Sequence, residues 1–353
     1  MKFPKKPVVS VVSLSLLVGN VNLLTNNINS KFIYAQNDAK EQALSNVSKE
    51  DEKKFNNDDK VKIIVKLKED KVNPDDLKTA EGLKKREAST KEPREKALKE
   101  IKEKGVNYEK LFEYDTLLNG FALETTYEDA KKIQAMNFVD SVEVSVAYRK
   151  PETNAVEIKK EEVNDFSKAL DSYNLINIQP LWDKGFRGQG RVIAVLDSGL
   201  DPNHPVLRLT DNSQSKYKTK EDAEKAMKEA GIDYGKWYSD KLPFAFNYND
   251  WNNDIKQSGF KSHGMHVAGT AVGNPKEKSG TGDYITGVAP EAQLIFMRVF
   301  SESKNSGTES YIYTKAIEDA IKLGADTINL SLGSPAGSVM EVGDGLISAL
   351  EVA

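Results

Sequence analysis

The first part of the chain alternates between short half-buried strands and amphipathic helices. Val61 to Leu67 alternates apolar and polar residues, as a strand with one buried face does. A Lys/Glu-rich helical pattern follows from about Leu77 to Lys104, with its charges expected on a solvated face; Gly82 and Pro93 weaken the pattern of one unbroken helix there. Two strands, a second helix and a last strand are predicted at 111–114, 120–125, 127–136 and 139–148. The order β-α-β-β-α-β predicts an α+β, ferredoxin-like domain.

The second part has the pattern of an α/β domain. Val192 to Leu196 is a continuous apolar, β-branched run, which is typical of a parallel strand buried on both faces. Further buried strands are predicted at 292–299 and within 324–334, and amphipathic helices at 219–230 and 308–323. Thr219 and Asp222 suit a capping box at the start of the first of these helices. The alternation of strands and helices predicts a three-layer α/β fold with a parallel sheet.

The N-terminus has the features of a secretory signal peptide. Lys2, Lys5 and Lys6 precede an apolar run from Val8 to Val18 that is too short to span a bilayer. The segment Ile33-Tyr34-Ala35 suits signal-peptidase cleavage before the next residue. An uncleaved anchor is the alternative, but the short run favours export without a transmembrane span.

These patterns divide the chain into five segments. In chain order they are a signal peptide at 1–35, a charged linker at 36–60, the α+β domain at 61–148, a polar linker at 149–174 and the α/β domain at 175–353. The linkers contain few large apolar groups and therefore cannot form a core of their own.

Composition narrows the classes of function. The 353 residues have a net charge of -4, so no basic excess points to a nucleic-acid partner. The chain has 0 cysteines, which excludes a disulfide framework, a cysteine nucleophile and a cysteine-based zinc site within it.

One segment holds two of the chain's 3 histidines. His263 and His266 lie in the small-residue-rich stretch 262–270, which is predicted to begin a helix. Histidine is the default general base, because its unperturbed pKa lies nearest neutrality. Asp197 ends the strand at 192–196, and α/β sheets place their sites at the carboxyl ends of strands. A buried carboxylate there can orient a histidine, although a metal-binding histidine pair or a turn-forming Asp would explain each motif alone.

Three motifs together resemble those of the subtilisin-like serine proteases. They are, in order, Asp197-Ser198-Gly199, His263-Gly264 and Ser331-Leu332-Gly333. Asp before His is the order of that family. The insertion between the first two motifs, which includes Tyr234 to Trp237, is similar to that of the cell-envelope subtilases of Gram-positive bacteria, among them complement-anaphylatoxin peptidases and lactocepins. Met265 departs from the family, where Thr is usual.

The resemblance implies roles for the motif residues. His263 would take a proton from a serine nucleophile and Asp197 would orient it. Ser331, Leu332 and Gly333 would line the cleft and pair with the backbone of a protein or peptide substrate. No cofactor or metal would be required for catalysis, although the family allows structural calcium, for which the sequence assigns no ligands.

The resemblance also implies a zymogen. Residues 61–148 would be an inhibitory propeptide that assists folding and occupies the active-site cleft, and the linker at 149–174 would be cleaved on maturation. The product would be secreted or associated with the cell wall. Slow folding of parallel sheets, whose contacts are non-local, gives a physical reason for a folding assistant.

Three other polar residues near the motifs have simpler interpretations. Ser198 either donates a hydrogen bond to the carboxylate of Asp197 or serves only in a turn. His266 is expected to be a packed structural residue, and His204, which precedes a proline, a surface residue.

The nucleophile of the resembled family is missing from this sequence. No Gly-Thr-Ser motif of the family's type occurs in the 353 residues, and the final segment 347–353 breaks off within a helical pattern. We therefore expect an N-terminal fragment of a protease precursor that does not hydrolyse peptides alone. The alternatives are a catalytically dead binding or decoy protein, and a metal hydrolase that uses Asp197, His263 and His266.

Overall fold

We describe the protein from a computed structural model, over residues 55–68, 72–145, 147–149, 173–257, 263–276, 286–301 and 307–332. The predicted signal peptide and most of both predicted linkers lie outside these residues. The described residues form two units. The first contains the described part of 55–148 together with Glu309–Glu318, and the second contains the described parts of Arg149–Thr308 and Asp319–Leu332.

The first unit is built on a four-stranded antiparallel sheet. Its strands are β1 (Lys60–Leu67), β2 (Tyr108–Tyr114), β3 (Gly120–Thr126) and β4 (Val139–Val144), in the order β2-β3-β1-β4. Alternate residues of β1 from Val61 to Leu67 join the core on one face, as the pattern predicted. The ferredoxin-like order is confirmed.

Two helices complete this sheet. They are α1 (Ala80–Glu103) and α2 (Tyr127–Gln134). The helix predicted in this segment is present and runs unbroken from Ala80 to Glu103. Gly82 lies in the first turn, where a Cβ would approach to 2.2 Å from the carbonyl oxygen of Asp76, and Pro93 lies inside the helix. Because Thr90, Ala97 and other residues on both sides of Pro93 are buried at helical spacing, tertiary packing outweighs the local cost of the proline.

The charges of α1 are not all solvated, contrary to expectation. Arg86 and Arg94 are buried and donate to the backbone carbonyls of Thr116 and Tyr114. Arg94 also forms an ion pair with Glu113. These arginines satisfy carbonyls at the end of β2, a role that helical spacing alone does not reveal.

The segment predicted as one last strand is divided in two. After β4, the short strand β5 (Ala147–Arg149) does not continue the four-stranded sheet. Alternation in the sequence does not distinguish one strand from two that follow each other closely.

The second unit is built on a parallel sheet. Its strands are β6 (Val192–Asp197), β7 (Phe244–Asn247), β8 (Gln293–Arg298) and β10 (Thr327–Leu330), where β9 denotes Gly307–Glu309. The order is β10-β6-β8-β7 and every described pairing in this sheet is parallel. The predicted α/β class is confirmed, but β7 was not predicted, because four residues are too few to show a period.

The remaining helices are α3 (Gln179–Asp183), α4 (Lys220–Glu229), α5 (His263–Val272) and α6 (Ser310–Lys322). The predicted capping box of α4 is confirmed, since Thr219 and Asp222 exchange side-chain and backbone hydrogen bonds. Helix α5 joins the core of the sheet through Ala268 and Val272. Among the described residues, no helix is both long and apolar enough to cross a membrane.

A buried carboxylate organises the turn after β2 in the first unit. Glu318 is fully buried and accepts hydrogen bonds from the backbone N–H groups of Asp115, Thr116, Leu117 and Leu118 at 2.8 to 3.2 Å. Four donors directed at one carboxylate compensate for its removal from water. The turn between β2 and β3 is thereby held at four consecutive residues.

A buried lysine occupies the second unit. The ammonium group of Lys241 donates to the carbonyl oxygens of Pro290 at 2.7 Å and Ala292 at 2.6 Å, just before β8, and the side chain is inaccessible to solvent. Burial lowers the pKa of Lys241 to about 7, against the opposing attraction of the Glu291 and Asp240 carboxylates.

This burial predicts that stability depends on pH. The folded pKa lies below the unfolded value, so the folded state binds fewer protons between about pH 7 and 10.5 and stability rises with pH across that window. The rise from pH 7 to 9.5 should be smaller by about 2–4 kcal/mol in Lys241→Met. The 3 tryptophans, Trp182, Trp237 and Trp251, all belong to the second unit, so tryptophan fluorescence during urea unfolding measures its stability. Equal pH dependence in both proteins would contradict this account.

Candidate functional site

The end of β6 and the start of α5 bring an acid and a base together. His263 Nδ1 lies 2.8 Å from Asp197 Oδ1 and 3.0 Å from Asp197 Oδ2. The side chain of Asp197 is 1% exposed, whereas that of His263 is 21% exposed. The carboxylate is therefore shielded from water while the imidazole reaches the surface. In this arrangement the carboxylate favours the tautomer with the proton on Nδ1, which leaves Nε2 as the basic nitrogen.

Gly264 allows the helix to approach the chain after the strand so closely. A Cβ on Gly264 would lie 2.5 Å from the carbonyl oxygen of Gly199 and 2.9 Å from its nitrogen. Real Cβ atoms do not approach backbone this closely. The glycine after His263 is thus required for the imidazole to reach Asp197.

Ser198 links the strand to the helix. Its backbone N–H donates to Asp197 Oδ1 at 2.6 Å, its hydroxyl donates to Gln257 Oε1 at 2.7 Å, and the same hydroxyl accepts from the N–H of Gly264 at 3.2 Å. The hydrogen bond predicted from Ser198 to the Asp197 carboxylate is present. Its backbone, not its hydroxyl, binds the carboxylate, and the hydroxyl joins two other segments.

The third motif follows β10. Leu330 aligns with Leu196 of β6, so Ser331 begins at the same edge of the sheet as Asp197. Ser331 and Leu332 are half-buried, and the Ser331 hydroxyl accepts from Asn329 Nδ2 at 3.0 Å. Gly333 lies outside the described residues.

The other histidines do not join the pair. His266 is exposed, because the buried face of α5 consists of Gly264, Ala268 and Val272; the expectation of a packed residue is wrong. His204 is partly buried, and burial lowers its pKa despite the opposing effect of Asp201. Over the described ranges, no cluster of three or more His, Cys, Asp or Glu side chains is arranged to hold a metal. The metal-hydrolase alternative thus gains no support here.

Sequence reasoning missed Arg298, the last residue of β8. It pairs in register with Asp197, is 1% exposed, and its guanidinium donates to the carbonyls of Asp254, Lys256 and Phe300. The arginine therefore fixes part of the loop 248–257. A single basic residue directly after the apolar run 294–297 was the available signal.

Comparison with known proteins identifies both units. Residues 188–352 match the model of the Subtilase family, and residues 62–150 match that of Peptidase inhibitor I9. The chain carries a subtilase domain behind an I9 propeptide-inhibitor domain. The family predicted from the three motifs is thereby confirmed.

Relatives of this subtilase chain are much longer proteins. The PII-type proteinase of Lactococcus lactis subsp. cremoris is 36% identical over 232 residues, which are 64% of this chain and 11% of that protein. The C5a peptidase of Streptococcus pyogenes serotype M3 is 43% identical over 162 residues, 45% of this chain and 13% of that protein. The chain thus spans between a tenth and a seventh of the length of these relatives.

Among solved structures, one similar protein is the epidermin leader peptide processing serine protease (EpiP) from Staphylococcus aureus. The TM-score is 0.43 at 18% identity, over 77% of this chain and 49% of that one. This likeness is too low to assign residues.

The glycine contact predicts a contrast within α5. Gly264→Ala should destabilise the second unit by roughly 1–3 kcal/mol, because its methyl group would displace the helix from Gly199. Gly269→Ala in the same helix is the control. A Cβ there meets nothing within 4 Å, so alanine should be neutral or stabilise by up to about 1 kcal/mol. Urea unfolding monitored by tryptophan fluorescence measures both, and equal effects would refute the contact's importance.

Proposed function

We propose that the chain is the N-terminal part of a secreted serine-type endopeptidase precursor. In this proposal Asp197 and His263 are two members of an Asp-His-Ser triad, and the serine is encoded beyond Ala353. The observation that carries it is the 2.8 Å contact between His263 Nδ1 and a carboxylate shielded from water. A pure binding protein has no physical need for that pair.

Each residue of the pair has a defined task in the proposed mechanism. His263 Nε2 removes the proton from the serine hydroxyl as its oxygen attacks the scissile carbonyl carbon, and then delivers that proton to the departing amine. A water molecule then attacks the acyl-enzyme, His263 Nε2 takes a proton from it and delivers that proton to the serine oxygen, and the serine is restored. Asp197 stays ionised throughout, holds the imidazole in its tautomer and stabilises the imidazolium.

The segment after β10 is assigned to substrate binding. Ser331, Leu332 and Gly333 would pair with an extended peptide backbone, which is a common mode of peptide recognition. Their support is that Ser331 follows a strand paired with β6, at the sheet edge that carries Asp197. Parallel α/β sheets bind ligands at this edge.

The predicted α+β domain is assigned to inhibition. Residues 61–148 would act as a propeptide that occupies the cleft until the linker at 149–174 is cut, in agreement with the I9 match at 62–150. Relatives named proteinase and C5a peptidase support protein substrates. The apolar run at 8–18 behind Lys2, Lys5 and Lys6 supports a location outside the cell, in the medium or at the cell wall.

Substitution of either residue of the pair should abolish peptide hydrolysis by the longer protein, which contains the proposed serine. Asp197→Asn should lower kcat about 10⁴-fold with a smaller change in KM, because the wrong imidazole tautomer is favoured. His263→Ala should be at least as damaging. His266→Ala is the matched control, since this residue is exposed on the same helix. Retained activity in the first two variants would remove both residues from the mechanism.

Residues 1–353 alone should be inert. Without the serine motif, a purified 353-residue product should neither cleave an unstructured protein nor react with a fluorophosphonate probe that labels serine nucleophiles. The longer product should do both after its propeptide is removed. Labelling of the 353-residue product at a serine would contradict the proposal that the nucleophile lies further along.

A further inference from the structure

The hydroxyl of Ser198 is the point where three segments meet. It accepts a hydrogen bond from the N–H of Gly264 and donates its own to Gln257 Oε1. Ser198 is 1% exposed, so its hydroxyl is sheltered from bulk water and depends on these neighbours. The direction of the O–H bond is therefore set by the glutamine oxygen, which leaves a lone pair for Gly264.

This lone pair serves the start of the helix that carries His263. Helix α5 begins at His263, and the N–H groups of its first turn have no acceptors within the helix. The Ser198 hydroxyl supplies one for Gly264, the residue next to His263. The same serine binds Asp197 through its backbone N–H. A shift of Ser198 would thus alter both partners of the proposed pair.

The position of Gln257 is itself determined by contacts on the loop 248–257. Arg298 donates to the carbonyl of Lys256 at 2.8 Å, and the carbonyl of Ile255 accepts from the N–H of Leu200 at 2.8 Å. A Cβ on Gly199 would lie 2.5 Å from the Cβ of Gln257, so the glycine allows the glutamine to lie directly against the chain after Asp197.

We infer that Gln257 is a positioning residue for the Asp197–His263 pair. Its side-chain oxygen orients the Ser198 hydroxyl, which caps the first turn of α5 and holds the imidazole against the carboxylate. The inference rests on the proposed function of the pair. It assigns to Gln257 no contact with substrate.

The test is nuclear magnetic resonance of the histidine side chains in the ¹⁵N-labelled 353-residue chain. With 3 histidines, each imidazole signal is assigned by single substitutions. The measured quantities are the chemical shift of the His263 Nδ1 proton and its exchange rate with water. Gln257→Met keeps the length of the side chain but removes the oxygen. The signal of the His263 Nδ1 proton should therefore shift upfield, and the proton should exchange about tenfold faster, because the free energy of local opening falls by about that of one hydrogen bond.

A conservative variant and a matched control distinguish the effect of the Gln257 oxygen from that of side-chain packing. Gln257→Glu keeps an acceptor oxygen and should retain the wild-type signal. Gln214→Met replaces an exposed glutamine of the same unit and should also leave it unchanged. Ser198→Ala removes the other partner, and the double variant with Gln257→Met should show no more than the larger single effect, because both act through one hydroxyl.

The outcomes distinguish this inference from the proposed function. An unchanged His263 signal in Gln257→Met, or additive effects in the double variant, would overturn the role of Gln257. Loss of the signal in Gln257→Glu as well would show that packing, not the oxygen, matters, and would also overturn it. Asp197→Asn should abolish the wild-type signal; if that signal survives, the pair itself is refuted.

Discussion

The structure around the proposed pair depends on the contact between Gly264 and Gly199. Because Gly264 has no side chain, the first turn of α5 lies against the chain that leaves β6, and His263 reaches the Asp197 carboxylate. A carboxylate that is 1% exposed must be compensated by donors, and here the imidazole and the Ser198 N–H supply them. The close packing of the backbone thus determines which donors surround the Asp197 carboxylate.

The parallel sheet arranges the remaining parts along one edge. Asp197 and Arg298 end neighbouring strands in register, and Ser331 follows the strand on the other side of β6. The residues at these two strand ends have different partners. Asp197 faces the histidine, whereas Arg298 is directed to the carbonyls of the loop 248–257 and so stabilises the surroundings of Gln257.

The sequence predicted what depends on local pattern. The strand at Val192, the helix at His263 and the capping box at Thr219 all follow from period and capping chemistry, and the structure contains each of them. It did not predict contacts between distant residues. The acceptor role of Gln257 and the burial of Arg298 depend on the path of loops that carry no periodic signal.

The most direct test of the central claim is the nucleotide sequence that follows the codon for Ala353. The proposed role of the Asp-His pair in acyl transfer requires a nucleophile, and the proposed triad assigns that part to a serine. We predict an open reading frame that leads to a Gly-Thr-Ser motif. A stop codon at that point would contradict the proposed peptidase and leave a binding protein built on a subtilase domain.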